Sequence, residues 1–173
     1  MGPMGAGDLS AALWQERRQL ELLLFRLETQ RLHLAAGNLA WLNFTSSEIE
    51  AVLDRLRFEA LARNVESAAV AGEWGLPAQA TLVELIAAAP PGAWPAVLQD
   101  HLDGLRALLR RLAAASATNE TALLGLEPPA AASSEAMLDQ LTLAANIERA
   151  LTITRRAAQP LMAQYLGDDA NSL

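Results

Sequence analysis

Apolar residues along this chain fall at helical spacing throughout. Leu13, Leu20, Leu27 and Leu34 recur every seven residues, with Leu9, Leu23 and Leu24 on the same face, as in a helix that buries one stripe. Asp8 stands where an N-cap carboxylate can accept from the first free backbone N–H groups. Gly37 and Asn38 can supply the left-handed turn that ends the helix. Trp14, Phe25 and Leu32 form a second apolar stripe beside the first, which predicts a helix with neighbours on two sides.

The run Leu39-Ala40-Trp41-Leu42-Asn43-Phe44 is apolar enough to pack as a tight connection. Thr45 with Glu48, and Ser47 with Glu50, then make overlapping capping boxes. They predict a second helix with Ile49, Val52, Leu53, Leu56 and Ala60 on one face, stopped by Gly72, Gly75 and Pro77. Another capping box, Thr81 with Glu84, opens a short helix through Leu82, Leu85 and Ile86 that ends at Pro90-Pro91-Gly92. Pro95 suits the first turn of a third long helix. From Trp94 a 4-3 spacing runs through Leu98, His101, Leu105, Leu108, Leu112, Ala115, Asn119 and Ala122, a coiled-coil seam.

Gly125, Pro128-Pro129 and the alanines after them make residues 125–134 read as a linker. A fourth helix is expected over 135–166, kinked at Pro160, where proline removes a backbone donor. Gly167 closes it. No alternating β-branched run and no Asn-Gly or Asp-Gly turn appears. The expected fold is all-α: an elongated antiparallel helical bundle or coiled coil of three long helices, plus a short helix and a C-terminal helix. The expected organisation is a flexible N-terminus over 1–8, a bundle over 9–124, a linker over 125–134, an amphipathic helix over 135–166 and a disordered tail over 167–173.

Composition narrows the function classes. With 173 residues, 52% of them apolar and 19% charged, the chain can bury a core unaided and is far from a disordered composition. It has no cysteine, so thiolate metal sites and disulfides are excluded. All 13 basic residues are arginine, which removes Schiff-base chemistry and the P-loop lysine. The net charge is −7, and neither half of the chain is basic. Nucleic acid and anionic membrane surfaces therefore have little to attract. The stretch from Leu20 to Leu34 is cut by Glu21, Arg26, Glu28 and Arg31. No membrane insertion is expected, and with no signal peptide in view the expected compartment is the cytoplasm.

Candidate chemistry is sparse. The chain has two histidines, His33 and His101, one tyrosine, Tyr165, and no cysteine, and neither histidine has a partner ligand at helical spacing. No nucleophile elbow, phosphate loop or dinucleotide fingerprint is present. The expectation is no enzyme, no metal and no cofactor, with both histidines structural or solvent-facing. Asn119 on the seam either fixes register through a matched partner or sits half exposed near the helix end. Trp14, Trp41, Trp74 and Trp94 fall near helix starts, turns and ends, where they can close a bundle.

The last helix carries the candidate binding surface. Met137, Leu141, Ala144, Ile147, Leu151, Ala158, Met162 and Tyr165 project within about 90° of arc on an ideal helix. This deformable stripe could receive a partner helix or fold back into the core. Leu13, Leu20, Leu27, Leu34, Leu105, Leu108, Leu112 and Asn119 are the expected packing and register positions.

The opening run Leu13-Trp14-Gln15-Glu16-Arg17-Arg18-Gln19-Leu20-Glu21-Leu22-Leu23-Leu24-Phe25-Arg26-Leu27-Glu28 resembles the FlgN family of flagellar export chaperones, in particular its actinobacterial branch. The resemblance continues through Leu34-Ala35-Ala36-Gly37, Trp41-Leu42 and Glu48-Ile49-Glu50-Ala51-Val52-Leu53. It then takes in Gly75-Leu76-Pro77, Thr81-Leu82-Val83-Glu84-Leu85 and Trp94. It implies a cytoplasmic helical chaperone without ATPase activity, a monomer or weak dimer, that binds a helical segment of flagellar hook–filament junction (hook-associated) proteins. Such a chaperone prevents premature assembly or aggregation of its clients and delivers them to the flagellar type III export apparatus. The family is thought to capture clients with its C-terminal part. From another class comes a non-enzymatic coiled-coil scaffold or adaptor that oligomerises through the seam over residues 94–122.

Overall fold

A computed structural model describes residues 4–126, 133–159 and 162–167, and every regular element among them is helical. Helices α1 (Met4–Ala35), α2 (Leu42–Glu73) and α4 (Trp94–Leu124) are the three long ones. A 3₁₀ turn over Leu39–Trp41 joins the first two, and the short α3 (Leu82–Ala88) precedes the third. α5 (Ser134–Ala158) and α6 (Met162–Leu166) follow. The protein is an all-α helical bundle. It divides into two compact units, one of Met1–Glu21, Asp54–Arg111 and Pro160–Leu173, the other of Leu22–Leu53 and Leu112–Gln159.

The leucine heptads supply the core of both. Leu13, Leu20, Leu27, Leu105, Leu108 and Leu112 are buried, and Leu34 packs half-buried at the edge of a cluster. Leu98, His101 and Asn119 of the seam are buried as well. Most of the seam thus packs inside the chain.

Several helix ends behave as their residues dictate. Gly37, Gly75 and Gly167 adopt the left-handed conformation, with φ of 73°, 75° and 86°. Thr81 caps α3, accepting from the Glu84 N–H at 3.2 Å while its own hydroxyl donates to the Glu84 carboxylate. Other ends differ. α1 begins at Met4 instead of at an Asp8 cap, because Ala6 and Leu9 are buried and draw the first turns into the core. Residues 4–8, expected to be flexible, are therefore helical. The capping boxes at Thr45 and Ser47 are not used: α2 has already begun at Leu42, and both hydroxyls donate back to carbonyls of that first turn. Trp14, Phe25 and Leu32 are about half exposed or more, so most of the second stripe of α1 faces solvent, with Trp14 packed at its edge against His101.

The expected single helix over 135–166 is two. Ser133 caps α5 by accepting from the Ala136 N–H, and Gln159 leaves helical geometry at φ −128°, ψ 66°. A residue before proline is pushed out of the α region by the proline ring, and Gln159 precedes Pro160. The expected kink at Pro160, most of the linker and the tail beyond Gly167 lie outside the described residues.

Candidate functional site

The first unit holds a half-buried serine–histidine pair. Ser10 Oγ lies 2.9 Å from His101 Nε2, and an Arg17 guanidinium nitrogen lies 3.4 Å from His101 Nδ1. A guanidinium only donates, so Nδ1 must accept and the ring proton sits on Nε2. His101 therefore donates to Ser10 and has no lone pair to take the serine proton. Trp14 packs edge-on to the imidazole at 5.1 Å, and Arg17 stacks over the Trp14 ring at 4.2 Å. Gly104 lacks the Cβ that would collide with that guanidinium. His101 is thus enclosed by Ser10, Trp14 and Arg17.

Burial, and then the charge of Arg17, hold His101 below its ordinary 6.5, against a smaller pull from Asp100. The unfolded chain thus takes up this proton before the folded one does. The stability His101 contributes is full above pH 6.5 and is lost as pH falls from there through its folded pKa. His101→Gln keeps a donor toward Ser10 and should flatten this fall, whose slope for one proton is at most about 1.4 kcal/mol per pH unit. Urea titrations at a series of pH values check it; equal slopes in both proteins would mean that the imidazole does not titrate differently on folding.

The same unit buries an ion pair. Arg63 grips both oxygens of Glu16 through Nε and Nη2, with both side chains only 3% exposed. The Tyr165 ring covers the guanidinium at 4.2 Å, and the Tyr165 hydroxyl accepts from Ser67 at 3.0 Å. Burial raises the Glu16 carboxyl above its ordinary value, opposed by the hydrogen bonds and charge of Arg63. Burial likewise raises Tyr165. Beside them opens a pocket of about 490 Å³ whose polar lining includes Asn64, Gln79 and Gln164. Arg63 is already neutralised, so the pocket offers amides and no free charge.

The second unit presents a different surface. Leu42, Leu123, Ala150 and Leu151 form a buried cluster, with Leu34, Leu126 and Ile147 half-buried around it. Arg149 fastens α5 there, donating to the Asn43 side chain at 2.6 Å, to Ser47 at 3.2 Å and to Glu50 at 3.2 Å. No residue of α5 before Ala150 is buried. Its first three turns run on from the cluster with Met137 54%, Leu138 66% and Leu141 61% exposed. Trp41 and Phe44, edge to face at 6.4 Å, and Leu124 are exposed beside the residues that anchor the cluster.

The expected stripe is therefore divided. Met137, Leu141 and Ala144 face solvent, Ile147 is half-buried, and Leu151 is core. Met162 and Tyr165 belong to α6, in the other unit, and are buried. The last three pack within the chain and cannot line an open surface with the first three. Leu138, Trp41 and Phe44 are surface residues that the helical wheel did not select; their signal was a large apolar group at an off-stripe position. His33 is partly exposed beside the Asn38 amide, at 3.4 Å.

Among the described residues no group of three or more acidic or histidine side chains could hold a metal. Nor is any described helix long and apolar enough to cross a membrane. What the fold offers is a helical bundle on which Met137, Leu138 and Leu141 of α5 are exposed. The profile of the FlgN protein family matches residues 1–125, and the chain belongs to that family of flagellar export chaperones. No curated protein and no solved structure matches it.

Proposed function

We propose that this chain is a cytoplasmic chaperone that binds a helical segment of flagellar hook–filament junction proteins and delivers them to the flagellar type III export apparatus. The observation that carries the reading is the N-terminal part of α5, residues 134–146, about 20 Å of helix on which Met137, Leu138 and Leu141 are exposed among the described residues, while Leu143 is half-buried. A client helix laid along Met137, Leu138 and Leu141 would hide its own aggregation-prone face, and no chemistry is needed. Family membership supports the chaperone role, and the acidic surface keeps the open leucines in solution. The proposed oligomeric state is a monomer or weak dimer. A coiled-coil scaffold is the weaker reading, because its seam lies inside the bundle.

Met137→Asp and Leu141→Asp should each weaken a client's terminal helical peptide by about tenfold or more, by placing a charge in the closed interface. Calorimetry reads the binding and a melting curve reads the fold. Unchanged binding would move the site elsewhere; a lowered melting temperature would show that these residues are core.

A further inference from the structure

The second unit contains a layer of buried polar side chains drawn from all four of its helices. They are Gln30 on α1, Thr45 and Ser46 on α2, Ser116 and Asn119 on α4, and Thr154 on α5. The first three helices satisfy one another. Gln30 donates to Thr45 at 3.2 Å and to Ser46 at 3.3 Å, while Asn119 Nδ2 donates to Gln30 at 3.2 Å and to the Leu27 carbonyl at 2.9 Å. The deficits lie on α4 and α5. Asn119 Oδ1, Ser116 Oγ and Thr154 Oγ1 are buried with no partner.

The register of α5 on α4 explains why these atoms belong together. Arg155 pairs with Glu120, and Ala150 and Leu151 cluster with Leu123. Thr154 therefore stands at about the level of Asn119, and its hydroxyl makes no hydrogen bond to the amide oxygen. The rest of the α5 seat is small: Ala150, Ile153 and Ala157 are its other buried residues besides Leu151. The two ion pairs that hold its flanks, to Glu50 and to Glu120, are open to solvent and weak. An element seated on little apolar area over unsatisfied polar atoms opens first.

We infer that the groove beneath α5 is an exchangeable helix-binding site, occupied by α5 in this state and open to a partner helix that fits it better. The better occupant carries small or aliphatic residues at the places of Ala150, Ile153 and Ala157. At the place of Thr154 it carries an amide side chain, long enough to donate to Asn119 Oδ1. As a second client surface this rests on the proposed chaperone role, while the exchange itself does not.

The test uses the full chain, which has no native cysteine. Glu120→Cys with Arg155→Cys, both at exposed positions, allows a short bismaleimide to tie α5 to α4. The probe is a fluorescein-labelled peptide of residues 133–159, alone and with Thr154→Gln. The untied chain should bind both peptides, the Gln peptide several-fold more tightly, and tying should cut both affinities by at least about tenfold by removing the open state. Equal binding to tied and untied chains would overturn the proposal, as would no binding to the untied chain. A Gln peptide no tighter than the parent would overturn the role of Asn119. None of these outcomes depends on the Met137 and Leu141 results, so the two readings fail separately.

Discussion

Glu16→Ala should destabilise the protein by about 3–5 kcal/mol, read as a shift in the midpoint of urea unfolding at constant slope. The substitution removes the carboxylate that Arg63 grips and leaves a guanidinium buried against the Tyr165 ring. Arg63 would keep the Asn64 side-chain oxygen at 2.9 Å, which accepts a hydrogen bond but carries no charge. The raised Glu16 carboxyl shows that burial outweighs the attraction of its partner. For that reason the double replacement Glu16→Leu with Arg63→Met should be close to neutral, or stabilising, where either single change is severe. A loss below about 1 kcal/mol for Glu16→Ala would put the pair in the class of solvated surface bridges.

Leu151→Asp should be nearly as damaging, and for a different reason. Leu151 is 9% exposed and packs with Leu42, Leu123 and Ala150, so a carboxylate there would sit among hydrocarbon side chains. Desolvating it and losing the leucine contacts together cost several kcal/mol, of the order of about 3–5. Circular dichroism melting should show a large drop in the midpoint, whereas Leu141→Asp, ten residues earlier on the same helix, should leave it in place. If the two variants melt alike, α5 is either all seated or all free, and the division of its apolar face is wrong.

That division marks where periodicity stops being informative. The wheel of the last helix aligned Met137 with Tyr165, yet Met137 and Leu141 are exposed while Ile147 and Leu151 pack on the cluster. Spacing reports which side of a helix is apolar and is silent about how much of its length is covered. It also assumes unbroken phase, which Gln159 interrupts before Met162 and Tyr165. The long helices were legible because their leucines repeat strictly, and the seam from Trp94 maps onto α4 from its first residue to near its last.

The polar residues inside the bundle were half legible. Glu16 and Gln30 occupy apolar-stripe positions of α1, between Leu13 and Leu20 and between Leu27 and Leu34. A polar group on a buried stripe announces that it needs a partner. Which partner could not be read, since Glu16 meets Arg63 and Gln30 meets Asn119 across 47 and 89 positions of sequence. Asn119, open between a buried and a half-exposed reading, is fully buried. The unused capping boxes at Thr45 and Ser47 failed for the opposite reason: a strong local signal lost to the Leu42 side chain, which the core claims first.

The Glu16–Arg63 pair also constrains how such a chain can change over generations. Each residue is tolerable only while the other is present, so a lineage that loses one acquires a bundle too unstable to keep, even though a bundle lacking both would be sound. The apolar alternative is near in sequence and far by any path of single steps. Substitutions at these two positions are therefore expected to appear jointly across descendants, or after a stabilising change elsewhere in the unit has widened the margin.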